Sequence, residues 1–153
     1  MNYNTTCMIT GHRDLPQENT AFIVEQLRHE VLDAIEAGYD HFLSGFARGA
    51  DLLFARVVSE YKGVYPITLG AALPYRDRVR TKDEMFHRLL KACDSVAVVS
   101  EDYSPACFAK RNQWMVQQSS RVIAVYDGRE KGGTAATLRA AKSLGREIHV
   151  IRL

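Results

Sequence analysis

Gly132-Gly133-Thr134 stands between an apolar run and an amphipathic one, and it is the segment best suited to hold an anion. Glycine lets a backbone approach a ligand closely, and a helix start leaves N–H groups unpaired. The threonine adds a hydroxyl, and a phosphate there would meet the positive end of the helix dipole. A tight turn with Thr134 as N-cap uses the same residues without a ligand, so both readings stay open here. A second stretch, Ser44-Gly45 with Arg48-Gly49 and Asp51, repeats the composition. Its Arg48 serves either as the cation for a phosphate or as a scaffold partner of Asp51. A third, Gly11-His12-Arg13, brings an imidazole and a guanidinium after the first apolar run. His12 either bonds a ligand or closes its own turn.

Other chemistries are absent by motif. There is no GxGxxG dinucleotide fingerprint, no GxxxxGK[ST] phosphate loop and no GxSxG nucleophile elbow. His12, His29, His41, His87 and His149 form no metal-ligand spacing with one another or with the cysteines, so no metal is expected. From Arg76 to Lys91 six basic residues face three acidic ones. Such a run is usually a solvated face, but Tyr75-Arg76 at its start could draw in an anionic ligand. Phe108, Trp114 and Met115 read as core or as a dimer contact rather than as a base-stacking platform.

These loops need elements to position them. Short apolar runs at Thr6–Thr10, His41–Ser44, Pro66–Leu73, Ser95–Ser100, Arg121–Tyr126 and Glu147–Leu153 read as strands. Helical spacing fills the gaps between them. Ile23, Leu27, Val31 and Ile35 recur every fourth residue, with Gly38 as a stop. Leu53, Phe54, Val57, Val58 and Tyr61 mark a second helix. Thr81-Lys82-Asp83-Glu84 fits a capping box for a third. Ser104-Pro105 opens a fourth, and Thr134–Leu144 is the fifth. The alternation predicts an α/β domain: a doubly wound, mostly parallel six-stranded Rossmann-like sheet with helices on both faces and the first strand central. Only the final strand could pair antiparallel. All post-strand loops then share one edge, where ligands of open α/β sheets bind. Five of the ten glycines fall at those junctions, too many for random placement.

The 153 residues suit one domain over residues 1–153, with no repeat or linker. Apolar residues at 46% and charged residues at 25% argue against disorder. Twenty basic against 18 acidic residues leave +2, too balanced for a non-specific nucleic-acid coat or a polybasic membrane module. No apolar run reaches membrane-spanning length, and the start lacks signal-peptide character. Cys7, Cys93 and Cys107 are an odd, scattered set, expected as free thiols in a cytoplasm.

Taken together, Gly11-His12-Arg13, Ser44-Gly45-Phe46-Ala47-Arg48-Gly49-Ala50-Asp51, Arg111-Asn112 and Gly132-Gly133-Thr134 resemble the YpsA-like branch of the SLOG superfamily. The superfamily is Rossmann-like and includes the LOG phosphoribohydrolases and the DNA-processing protein DprA. The resemblance runs in order over nearly the whole chain. It implies a nucleotide or nucleotide-derived ligand over the glycine-rich loops, with no further cofactor. LOG enzymes carry GGxGTxxE, in which the glutamate serves cleavage of an N-glycosidic bond. Here Thr137 stands three residues after Thr134, and a hydroxyl cannot replace that carboxylate. Asp51, Glu101 or Asp102 would have to substitute. The leading expectation is a nucleotide-binding or sensing domain without robust catalysis. The alternatives are a nucleotide N-glycosidic hydrolase or transferase, and a DprA-like module for nucleic acid or a protein partner. Nucleic acid is the less favoured partner for want of a strongly basic surface, and a homodimer is carried on the apolar payload of the fourth helix.

Overall fold

Alternate residues of the strands point to opposite sides, and each side finds its own helices. Cys7, Ile9, Phe42, Leu69, Ile123 and Val125 pack with Ile23, Leu27, Phe54, Val57 and Phe86 in the larger core. Met8, Leu43, Ala72 and Val122 face the other way, onto Met115, Val116 and Ala141. The computed structural model describes all residues, Met1–Leu153. The strands are β1 (Thr6–Gly11), β2 (His41–Ser44), β3 (Thr68–Leu73), β4 (Ser95–Val98), β5 (Arg121–Tyr126) and β6 (Glu147–Arg152). The helices are α1 (Thr20–Glu36), α2 (Ala50–Tyr61), α3 (Glu84–Lys91), α4 (Cys107–Gln118) and α5 (Gly133–Ser143). Thus α1, α2 and α3 cover one face of the sheet, and α4 and α5 the other.

The sheet order is β4-β3-β2-β1-β5-β6, so β1 is internal, as expected. Every pairing is parallel, including β5 with β6, where Arg121 to Tyr126 match Glu147 to Arg152. The allowance for an antiparallel last strand is therefore corrected. A helix, α5, carries the chain back across the sheet before β6, and a crossover of that kind makes parallel neighbours. Chain order reverses between β1 and β5, which is where a crevice opens beyond the strand ends.

Local signals hold with one change. Gly38 and Gly145 end α1 and α5 with φ of 97° and 70°, in the left-handed region that favours glycine. The cap of α3 is Asp83, not Thr81: its carboxylate accepts from the Met85 and Phe86 N–H groups. The Thr81 hydroxyl accepts from the Asp83 N–H instead, too early in the chain to cap the helix.

Candidate functional site

At the β1/β5 crevice lies a cleft with two lobes. The first, about 500 Å³, is floored by Thr10 and Gly11 of β1. Its walls are Gly133, Thr134 and Thr137 of α5, Arg111 and Asn112 of α4, and Arg13, Asp51 and Phe108. The second, about 350 Å³, lies toward β3 between Arg48, Arg78, Tyr75 and Asp83. Arg13, Ala47, Phe108 and Arg111 line both lobes. Five arginines against three aspartates line the two together, a local surplus that the balanced whole-chain charge conceals.

The donors of the first lobe are held in place by specific bonds. Gly132 has φ 106° and ψ 176°, a conformation that suits glycine, and it turns the chain into α5. The N–H groups of Gly133, Thr134 and Ala135 find no backbone acceptor, and the first paired one is Ala136, on the Gly132 carbonyl. Arg111 Nε donates to Asn112 Oδ1 at 2.8 Å. That bond leaves the Asn112 amide nitrogen as a donor beside α5, where a Cβ built on Gly133 would lie 3.9 Å from Nδ2. Arg111 is itself 3% exposed, with Nη1 donating to the carbonyls of Gly45 at 2.7 Å and Ala72 at 3.3 Å. Arg13 lies over the Phe108 ring at 5.1 Å and joins no carboxylate, whereas Arg129 is tied to Asp127 and Asp14.

Asp51 is the buried carboxylate of the site. One oxygen accepts the Ala47 N–H at 3.2 Å. Burial pushes its pKa up to about 6, against the opposing pull of Arg111, the Ala47 N–H and Arg13. Burial likewise lowers the Arg111 pKa from its ordinary value. A carboxyl poised near neutrality in a cleft is suited to proton transfer.

The structure sorts the sequence candidates. Gly11, His12, Arg13, Asp51, Arg111, Asn112, Gly133 and Thr134 line the first lobe together. Arg48 and Gly45 line only the second lobe, whereas Arg13 and Arg111 border the lobe of Gly133. Ser44 is fully buried and borders neither lobe, its hydroxyl donating to the Asp51 carbonyl and accepting the Phe46 N–H, so it fixes the loop. Gly49 (φ 85°) serves packing, since a Cβ there would lie 2.5 Å from the His12 carbonyl oxygen. Gly132 borders neither lobe. Arg76 pairs with Glu101 on the surface, and both they and Asp102 lie outside the cleft. Of Asp51, Glu101 and Asp102, only Asp51 lines the cleft. His12 bonds across the crevice rather than within its own turn: Nε2 accepts the N–H of Asp127, in the loop after β5, at 3.2 Å, and the residue still borders the first lobe. Thr137 bonds back to the Gly133 carbonyl, as a threonine within a helix commonly does.

Phe108 is the residue whose role the sequence hid. It lies in an edge-to-face trio with Tyr75 and Tyr103, whose centroids are 6.3 and 6.2 Å from its own. Of the apolar residues on which a dimer was expected, Met115 is core, Trp114 is half-buried against the smaller core and Phe108 is half-buried in the cleft. The position of Phe108 near the start of α4, on the side of Arg111 and Asn112, is the signal that could have found it.

Comparison with known proteins agrees with this architecture. The family model described as the YspA SLOG family matches residues 7–151, and the chain belongs to that family. A UPF0398 protein of Enterococcus faecalis is 28% identical over 163 residues, covering 97% of this chain and 91% of its own. DNA processing protein A of Streptococcus pneumoniae superposes with a TM-score of 0.70 at 16% identity, over 97% of this chain and 50% of that one. The Helicobacter pylori protein of that name, described by its single-stranded DNA binding mode, gives 0.66 at 17% identity over 97% and 65%. The chain thus spans about half and about two thirds of the two, and at these identities the likeness shows the fold alone. The expectation that nucleic acid is a poor partner finds no support in these neighbours. No helix is long and apolar enough to cross a membrane.

Proposed function

We propose that this member of the family binds a nucleotide or nucleotide derivative, with a phosphate seated at the start of α5. The observation that carries the proposal is the convergence on one spot of three unpaired N–H groups and the Asn112 amide, with Arg111 fixing that amide. Hydrogen bonds to a charged oxygen contribute about 1.5–3 kcal/mol each, so a few such donors make a binding site. Arg13 adds a cation engaged in no ion pair, and the Phe108 ring beneath it offers a flat apolar wall. The domain acts as a binding or sensing unit in the cytoplasm, in keeping with three free thiols. Titration calorimetry against the common ribonucleosides and their 5′-monophosphates tests the seat. The phosphate ester should bind at least about tenfold tighter than its nucleoside. Equal affinities would remove the phosphate from α5.

Asp51 favours a second reading, cleavage of an N-glycosidic bond. Its carboxyl, with a pKa of about 6, lies in the lobe that holds the phosphate seat and could protonate a leaving base or steady an oxocarbenium-like charge. Chromatography of the tightest nucleotide after long incubation decides between the two. Free base that Asp51→Asn no longer releases marks an enzyme; intact nucleotide marks a binding domain.

A further inference from the structure

One phosphate does not use the charge of both lobes. Gly133, Thr134 and Asn112 border the first lobe only, and Arg48 and Arg78 the second only. Arg48 is exposed and, like Arg78, joins no ion pair; Arg78 rests on the Phe86 ring at 4.8 Å. The carboxylate bordering the second lobe on its own is Asp83, whose Oδ1 is occupied capping α3. Arg111 stands between the lobes and is the decisive side chain. It is 3% exposed, with Nη1 and Nε committed to protein oxygens and Nη2 bonded to none. Nη2 is therefore the nitrogen left to donate to a ligand oxygen, while the bonds of Nη1 and Nε hold the side chain in position.

We propose that the second lobe is an anion subsite of the same cleft. The ligand class is then a nucleoside with phosphates on both sides of its sugar, one at α5 and one between Arg48, Arg78 and Arg111. The nucleoside spans the Phe108 wall, which borders both lobes. The inference rests on the phosphate seat proposed above and adds a second. Two sources share this chemistry, a free nucleoside 3′,5′-bisphosphate and a nucleotide within a single strand.

Titration of the full chain with 5′-monophosphates, the matching 3′,5′-bisphosphates and a short single-stranded oligodeoxynucleotide tests it. The bisphosphate or the strand should bind about tenfold or more tightly than the monophosphate. Arg48→Ala with Arg78→Ala should erase that advantage while monophosphate affinity stays at the wild-type value. Arg48→Glu alone should do the same without disturbing Phe86. A strand that gains where the bisphosphate does not assigns the strand as the source, and the reverse assigns the free nucleotide. Monophosphate binding with no advantage for either, or an advantage that survives these substitutions, overturns the second subsite and leaves the α5 seat standing. Failure of every probe to bind overturns both.

Discussion

Two loops on the same edge of the sheet have nearly the same composition and opposite uses. Ser44–Asp51, after β2, is filled by its neighbours. A Cβ on Gly45 would lie 2.9 Å from the Arg111 guanidinium and the Asp51 carboxylate, and one on Gly49 would strike the His12 backbone. Asp127–Thr134, after β5, is filled at its start, where a Cβ on Gly128 would lie 2.7 Å from the Arg152 guanidinium, but open at its helix end: a Cβ on Gly132 meets nothing within 4 Å, and one on Gly133 only the Asn112 amide at 3.9 Å. Glycine in the first loop lets protein approach protein. At the helix end of the second it leaves room beside unpaired donors. Composition alone does not separate the two cases, because the small residue serves both; what surrounds the missing Cβ does.

The largest expected effect breaks the packed loop. Gly49→Ala places a methyl group against backbone at a positive φ, where neither partner can yield. Strain and overpacking each cost about 1–3 kcal/mol, so urea denaturation should show a loss of about 3 kcal/mol or more. Gly133→Ala, at an ordinary φ in open space, should move the midpoint hardly at all. Similar losses for the two would end the distinction between the loops.

Asp51 connects the packed loop to the cleft, and its pH dependence follows from burial. Its folded pKa of about 6 exceeds the ordinary carboxylate value, so the folded state holds the proton more tightly. Between about pH 4 and 6 the folded chain binds more protons, and this group's contribution to stability falls as pH rises. A carboxyl whose pKa rises from about 4 to about 6 on folding costs about 3 kcal/mol once it is ionised. Asp51→Asn removes the charge, so its stability relative to wild type should improve from pH 4 to pH 7.5 by up to that amount. A difference that is flat with pH would mean that Asp51 is not the buried, reluctantly charged group described.

Gly133→Asp tests the open loop. The new carboxylate would occupy the phosphate seat, repelling the ligand and taking its donors. Phosphate-bearing ligands should bind at least about tenfold more weakly. An acid in the first turn of a helix is favourable by about 0.3–1 kcal/mol, so the melting temperature should hold or rise. Unchanged affinity would leave Gly132-Gly133 as a turn.

The fold was largely legible because its signals are local. The β-runs, the four-residue spacing of Ile23, Leu27 and Val31, and the glycine stops each act within a few residues. The shared edge follows from topology, which is enough to bring Gly11, Asp51 and Gly133 to one cleft. What stayed hidden is relational. Arg48 and Arg13 are both arginines in post-strand loops, but only Arg13 borders the lobe of Gly133. The structural bonds of the Ser44 hydroxyl to Asp51 and Phe46 were not legible either, because they form only when the loop folds back on itself. Phe108 has the composition of core and the position of a cleft wall. Which face of α4 meets water depends on α5 and on the β3 end, both distant in sequence.

The smallest expected effects sharpen the comparison most, because they change one hydroxyl in each loop. The Ser44 hydroxyl is fully buried and bonded on both sides. Ser44→Ala leaves the Phe46 N–H without its acceptor, and an orphaned buried donor costs about 1–3 kcal/mol. Thr134 makes no side-chain hydrogen bond within the chain although the residue is 6% exposed, and it borders the first lobe. Thr134→Val keeps the shape and removes only a donor available to ligand. Stability should then fall for Ser44→Ala with nucleotide affinity near wild type, once the folded fraction is allowed for. For Thr134→Val the melt should stay in place, while phosphate binding weakens by the value of one hydrogen bond, about 1 kcal/mol or roughly fivefold. Melting curves and titrations of the two proteins form a two-by-two test. If Ser44→Ala weakens binding at full foldedness and Thr134→Val does not, the roles of the loops are reversed and the phosphate belongs beside β2.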